Sequence, residues 1–257
     1  MIRELVPRLA ASAEVFGDAP EARMHPDEEA AVALAVESRR REFATVRHCA
    51  RQALDRLGFA YRPLVPGAKG EPTWPDNVVG SMTHCAGYRA AAVARDRDLA
   101  SLGIDAEPDQ PLPPDMLEVI ALPEEGERIQ ALLRATDHRL NWDRLLFSAK
   151  EAVYKAWFPL TRALLEFHEA DITFDGGTVA HVADHLLGGS FEAELLVPGP
   201  AVGGRELRAF RGRWAAGNGL LGTAVAVPAP VSAACASQSP DVTNRTRATR
   251  EFTPNLW

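Results

Sequence analysis

The sequence predicts an α+β fold in two halves, and the order of its patterns carries that expectation. A strongly helical stretch is followed by short strand-like runs, a break intervenes at Pro111-Leu112-Pro113-Pro114, and the same order then repeats. Helices and strands do not alternate singly, which argues against a doubly wound parallel sheet. The repeated order is not accompanied by a residue-level repeat, so any internal symmetry is structural.

In chain order, residues 27–57 carry the clearest helical periodicity, with Phe43, Val46, Cys49, Ala50, Ala53, Leu54 and Leu57 recurring every three or four positions and Gly58 placed to stop the helix. Its other face is basic: Arg39, Arg40, Arg41, Arg47, His48 and Arg51. Such a face is as readily a solvated surface as a binding surface. A breaker-rich loop follows from Pro63 to Pro75. Val78–Met82, Tyr88–Ala94 and Leu99–Glu107 then read as strands, the last two joined by a hairpin turn at Arg95-Asp96-Arg97-Asp98. In the second half, helices are expected at 115–134 and 141–158, and strands at 171–174, 189–197, 205–214 and 219–227. The halves divide as residues 1–104 and 105–228, and residues 229–257, rich in Ala, Ser, Thr, Asn, Pro and Arg, are expected to be a disordered, mobile tail.

Composition narrows the functional classes. With 257 residues, 46% hydrophobic and 25% charged, the chain is large enough for one sizeable core or two smaller ones. A net charge of −7 argues against a nucleic-acid binder held by bulk charge. Cys49, Cys85 and Cys235 are odd in number and lack CxxC spacing, which indicates neither a disulfide framework nor a zinc site and fits a reducing cytoplasm. Glu4 and Pro7 interrupt the first residues, and no apolar run is long enough to span a bilayer, so neither secretion nor membrane insertion is expected.

Two short segments concentrate chemistry. In Gly103-Ile104-Asp105-Ala106-Glu107-Pro108, strand alternation puts both carboxylates on one face, an unfavourable pairing unless a cation is supplied, although a solvated strand end gives the same pattern. In Phe147-Ser148-Ala149-Lys150-Glu151-Ala152-Val153-Tyr154-Lys155-Ala156, helical spacing turns Glu151 and Lys155 away from the apolar side, where they form either a surface pair or the wall of a cleft. Three carboxylates and two lysines suit a divalent metal on a polyphosphate. Gly80-Ser81-Met82-Thr83-His84-Cys85 adds a hydroxyl and an imidazole able to face phosphate.

Together these segments resemble the large 4′-phosphopantetheinyl transferases, whose signature is a GxDxE strand followed by a (F/W)xxKEAxxK helix. Both motifs stand complete here, and the stretches around Arg40–Arg51, Lys69–Pro75 and Gly80–Tyr88 resemble upstream motifs of the actinobacterial branch. The resemblance spans about residues 35–226 and implies a cytoplasmic, pseudo-twofold monomer binding coenzyme A between two similar halves. It implies Asp105, Glu107 and Glu151 as ligands of Mg²⁺, with Mn²⁺ the alternative; Arg39, Arg47, Lys69 and His84 around the 3′-phosphoadenosine, with Thr83 replacing a common serine; and Lys150 and Lys155 at the phosphates. The partners implied are apo acyl carrier and peptidyl carrier proteins, whose serine is modified while Glu151 accepts its proton, directly or through a metal-bound water, and Lys155 stabilises the leaving 3′,5′-ADP. Neither nucleic acid nor membrane is expected as a partner. A non-catalytic coenzyme A-binding module and a metal-dependent phosphohydrolase are the alternatives.

Overall fold

The computed structural model describes residues 1–135, 140–175, 180–183 and 186–230. In chain order the elements are α1 (Ile2–Leu5), β1 (Ala11–Phe16), α2 (Pro26–Glu29), α3 (Glu37–Arg56), β2 (Val78–Cys85), β3 (Tyr88–Arg95), β4 (Leu99–Pro108), α4 (Met116–Ile120), α5 (Pro123–Ala135), α6 (Trp142–Thr161), β5 (Ala170–Phe174), β6 (Ala180–Ala183), β7 (Leu186–Leu195), β8 (Ala201–Val202), β9 (Arg205–Glu206), β10 (Ala209–Gly217) and β11 (Leu220–Pro228). All sheet pairings are antiparallel, as the α+β expectation requires.

Each half packs a 20-residue helix on a sheet. Helix α3 lays Cys49, Ala50, Ala53 and Leu54 against Val78, Ala91 and Val93 of a three-stranded sheet ordered β1-β3-β2. Helix α6 lays Leu145, Ala149, Val153 and Trp157 on a six-stranded sheet ordered β4-β11-β10-β7-β5, with β6 on β7. At its start Trp142 meets Phe174 and Trp214 edge-on, with ring centroids 5.5 and 5.3 Å apart.

The structure changes several expectations. Strand β1, unread in the sequence because its Ala-Ser-Ala start gives a weak strand signal, supplies one edge of the first sheet. The helical stretch expected from residue 27 is two helices: the pattern breaks after a turn at Ala30–Val32, and α3 starts at Glu37. The strand expected over 205–214 is also divided, β9 pairing with β8 and β10 with β7 and β11. The division expected at residues 104 and 105 falls inside β4, whose full length pairs with β11 and so belongs to the second sheet. Residues 231–257, including Cys235 and most of the expected tail, lie outside the described residues.

The two sheets meet where β2 runs beside β4. There, side-chain hydroxyls replace a backbone ladder: the Ile104 N–H donates to Ser81 Oγ at 3.0 Å, and the Ala106 N–H donates to Thr83 Oγ1 at 3.0 Å. These bonds satisfy buried amides while letting the sheets part, and the parting leaves room for a ligand. Among the described residues, no helix is long and apolar enough to cross a membrane.

Candidate active site

Strand β4 approaches α6 closely because residue 103 is glycine. A Cβ there would stand 2.0 Å from the Ala152 carbonyl oxygen and 2.7 Å from the Ala156 nitrogen. With the strand pressed on the helix, Ser101 Oγ donates to the Ala156 carbonyl at 2.6 Å, and Asp105 arrives opposite Lys155.

Asp105 is buried, which excludes the solvated strand end. Its Oδ1 accepts from Lys155 Nζ at 2.6 Å and from Thr83 Oγ1 at 3.2 Å. Its Oδ2 is buried without a partner among the described residues. Glu107 is held by Arg144, whose Nη1 donates at 3.1 Å, a partner the sequence reading missed because it lies 37 residues away. The Glu151 side chain makes no hydrogen bond to a described residue, and the charges acting on it are those of Lys155 and Asp105. Burial pushes the Glu107 carboxyl up, Asp105 adds to the rise, and Arg144 opposes it. The Glu151 carboxyl is likewise raised by burial and by Asp105, with Lys155 opposing. Glu107 and Glu151 therefore each sense the charge of Asp105, and the cations beside them do not cancel the rise.

That arrangement tests whether a metal fits. Among the described residues no ready-made cluster of three ligands exists. The donors present are nevertheless carboxylate oxygens, which suit a hard divalent cation, and Asp105 Oδ2 is an orphaned acceptor of the kind such a cation satisfies. The residues fit the group.

Beside Lys155 opens a cleft of about 890 Å³ whose walls include Arg39, Arg47, Lys69, His84, Lys155 and Arg162. Arg47 is buried, lies 3.2 Å over the Phe43 ring and donates from Nε to the Leu64 carbonyl at 2.9 Å. Burial lowers its guanidinium to about 10, with Arg51 and Arg39 adding and Glu28 opposing. Arg39 Nη1 donates to His84 Nε2 at 2.6 Å, which puts the imidazole proton on Nδ1, 4.0 Å from Glu42. Burial and then the Arg39 charge depress the His84 pKa and keep the ring neutral. Lys69 stands on the loop clipped by the Pro66–Pro72 bridge, and Glu71 of that loop reaches Arg162 at 3.5 Å. Tyr154, expected beside Glu151 as a cleft wall, and Trp74 of the loop both line the cleft, whereas Arg162 and Phe158 went unread, since they share no motif with the basic helix.

The basic helix is less uniform than its sequence. Arg40 donates to the Val32 carbonyl and Arg51 pairs with the fully buried Glu28 at 2.9 Å, so both are structural, while Arg39 and Arg47 face the cleft. Two further expectations are corrected. Thr83 is buried and spends its hydroxyl on Asp105 and the Ala106 amide, so it orients the acid instead of facing a ligand. Lys150 does not stand at the phosphates: its buried ammonium pairs with Glu125 at 2.8 Å and donates to the Phe167 and Ala170 carbonyls at 2.6 and 2.8 Å. All three protons are taken.

A smaller cavity of about 210 Å³ lies against the preceding turn of α6, lined by Glu151, Val153, Leu164, Leu165 and Phe167. It shares Tyr154 with the large cleft. Glu151 lines the small cavity, and Lys155, bonded to Asp105, lines the large one.

Comparison with known proteins identifies the family. The family model of the 4′-phosphopantetheinyl transferase N-terminal domain matches residues 27–94, and that of the 4′-phosphopantetheinyl transferase superfamily matches residues 101–199. The chain is 54% identical to 4′-phosphopantetheinyl transferase Svp of Streptomyces mobaraensis, over 91% of this chain and 92% of that protein. It is 46% identical to 4′-phosphopantetheinyl transferase PptT of Mycobacterium tuberculosis, over 84% and 91%, and 47% identical to 4′-phosphopantetheinyl transferase Npt of Nocardia iowensis, over 88% and 99%. The chain belongs to the 4′-phosphopantetheinyl transferase superfamily.

Proposed function

We propose that the protein transfers 4′-phosphopantetheine from coenzyme A to a serine of an apo acyl carrier or peptidyl carrier protein, as a monomer in the cytoplasm, with Mg²⁺ or Mn²⁺ at Asp105, Glu107 and Glu151. The observation that carries this reading is the buried Asp105, unpartnered on one oxygen and bonded on the other to Thr83 and to Lys155, which lines a large basic cleft, while Glu151 one turn earlier on the same helix lines a small, mostly apolar cavity. Coenzyme A has the matching sequence of parts: an anionic nucleotide, a pyrophosphate and a slender, mostly apolar arm.

Arg39, Arg47, Lys69 and His84 would receive the 3′-phosphoadenosine in the large cleft between the two halves. Neutral His84 would donate from its Nδ1 or, on releasing Arg39, gain a proton against the phosphate. Lys155 would turn from Asp105 toward the pyrophosphate, and the arm would pass Tyr154 into the small cavity. When bound, the metal would supply positive charge to the pyrophosphate and to the leaving group.

Glu151 lines the cavity that would hold the arm, and burial has raised its affinity for a proton. It would accept the serine hydroxyl proton as Oγ attacks the β-phosphorus. The bond from that phosphorus to the bridging pyrophosphate oxygen breaks, 3′,5′-ADP leaves with its new charge beside Lys155, and the serine carries phosphopantetheine. The test is to incubate the protein with coenzyme A, Mg²⁺ and several apo carriers and weigh each carrier intact. A gain of one phosphopantetheine supports the reading, and unchanged mass on every carrier overturns it.

A further inference from the structure

Lys150 belongs to the signature helix, yet its ammonium faces away from the acids, and the residue that receives it, Glu125, lies in no motif. Glu125 is fully buried on helix α5. Its Oε2 accepts the Leu122 N–H at 2.7 Å as well as Lys150, and its Oε1 accepts the Ile172 N–H of β5 at 2.6 Å. Lys150 in turn holds the carbonyls of Phe167 and Ala170, and both of these residues line the small cavity. One carboxylate thus fastens α5, β5, α6 and the turn that closes the cavity beside Glu151.

Stability alone does not ask for this pair. A buried ion pair replaced by apolar residues of like volume is often neutral or stabilising. What apolar residues cannot do is direct hydrogen bonds at two particular carbonyls and so fix the wall they belong to.

We propose that Glu125 is a positioning residue for the transfer reaction: through Lys150 it sets the wall of the 210 Å³ cavity and the turn of α6 that carries Glu151. The proposal rests on the function inferred above and adds a residue to it. It makes a specific separation. The large cleft takes its basic side chains from α3, the 63–75 loop, β2 and the far side and end of α6, so nucleotide binding stays intact while the arm and the proton acceptor lose their placement.

The experiment compares wild type with Glu125→Gln and with the double variant Glu125→Gln/Lys150→Met, in which no buried charge is stranded. Each is assayed at a temperature where circular dichroism shows it folded, so that loss of folded protein does not enter. Titration calorimetry gives the affinities for 3′,5′-ADP and coenzyme A, and steady-state transfer to an apo carrier gives kcat and KM. The expected result is 3′,5′-ADP affinity within about twofold of wild type, loss of the extra affinity that coenzyme A gains from its arm, and kcat lower by about 10- to 100-fold, the size of effect that displaced supporting groups have. A purely structural role predicts lowered thermal stability with both the affinity ratio and kcat within about threefold of wild type, and that result overturns the proposal. If Glu125→Gln does not fold, the double variant decides on the same two readouts. A wild type that binds coenzyme A but modifies no carrier overturns the proposed function, while the ratio of coenzyme A to 3′,5′-ADP affinity still decides whether Glu125 sets the cavity.

Discussion

Lys150 and Lys155 leave the same helix five residues apart and have opposite fates. At 3.6 residues per turn they point roughly 140° apart, so one helix cannot present both to one ligand. Lys155 keeps 27% of its side chain exposed on the cleft and grips Asp105, whereas Lys150 keeps 2% and is consumed by Glu125 and two carbonyls. Glu151 lies only about 40° from Lys155 on the helical wheel, and it is on the acidic side that it finds its charged neighbours. A single motif can therefore contain residues for the chemistry and residues for the frame that holds it, and side-chain direction separates them.

The sharpest test of the acidic side is removal of its carboxylates. Asp105→Ala and Glu151→Ala should each cut carrier modification to below about 1% of wild type, the loss expected when a reacting-charge contact is removed, with far-UV circular dichroism unchanged. A variant of either retaining near-normal transfer would remove that residue from the site. Adding a chelator should give the same loss, and Mg²⁺ should restore it.

The lysines themselves come next. Lys155→Met should lower kcat by about 10²-fold with a small change in Tm, since its partner Asp105 is a cleft residue. Lys150→Met should do the reverse in stability, costing about 3–5 kcal/mol in urea unfolding because it strands the Glu125 carboxylate in the core. Equal effects of the two variants on stability would break the comparison.

Arg47→Ala should act through binding. It should raise the KM for coenzyme A by about tenfold with a smaller change in kcat, as expected for a charged contact made equally before and during reaction. The smallest effect belongs to Thr83. Thr83→Ser keeps the hydroxyl that holds Asp105 and should leave kcat within about twofold, whereas Thr83→Val leaves the buried Ala106 amide unpaired and should cost about 1–3 kcal/mol. Wild-type stability in Thr83→Val would mean that the seam between β2 and β4 does not depend on that hydroxyl.

Much of this was legible in the sequence for identifiable reasons. The strands β2, β3 and β4 announce themselves by apolar runs between turn residues, and the acidic pair by the Gly and Pro that bracket it. Arg47 and His84 were legible as basic side chains on the right elements. Strand β1 was not, because Ala and Ser give weak β signals and its identity comes from pairing with β3. Arg162 and Glu125 were not, because each gains meaning only from a partner 25 to 91 positions away: Arg162 from Glu71, and Glu125 from Ile172 and Lys150.

By itself, then, the sequence determined the α+β class, the two motifs and the residue types gathered for a phosphate-bearing ligand, since periodicity and local chemistry are properties of neighbours along the chain. Only the tertiary structure decided that Gly103 lets β4 touch α6, that Thr83 and Lys150 face inward, and that Arg144 and Glu125 take charge of distant partners. Those decisions depend on which surfaces are pressed together and which polar groups must then be satisfied. That information arises when the two sheets meet.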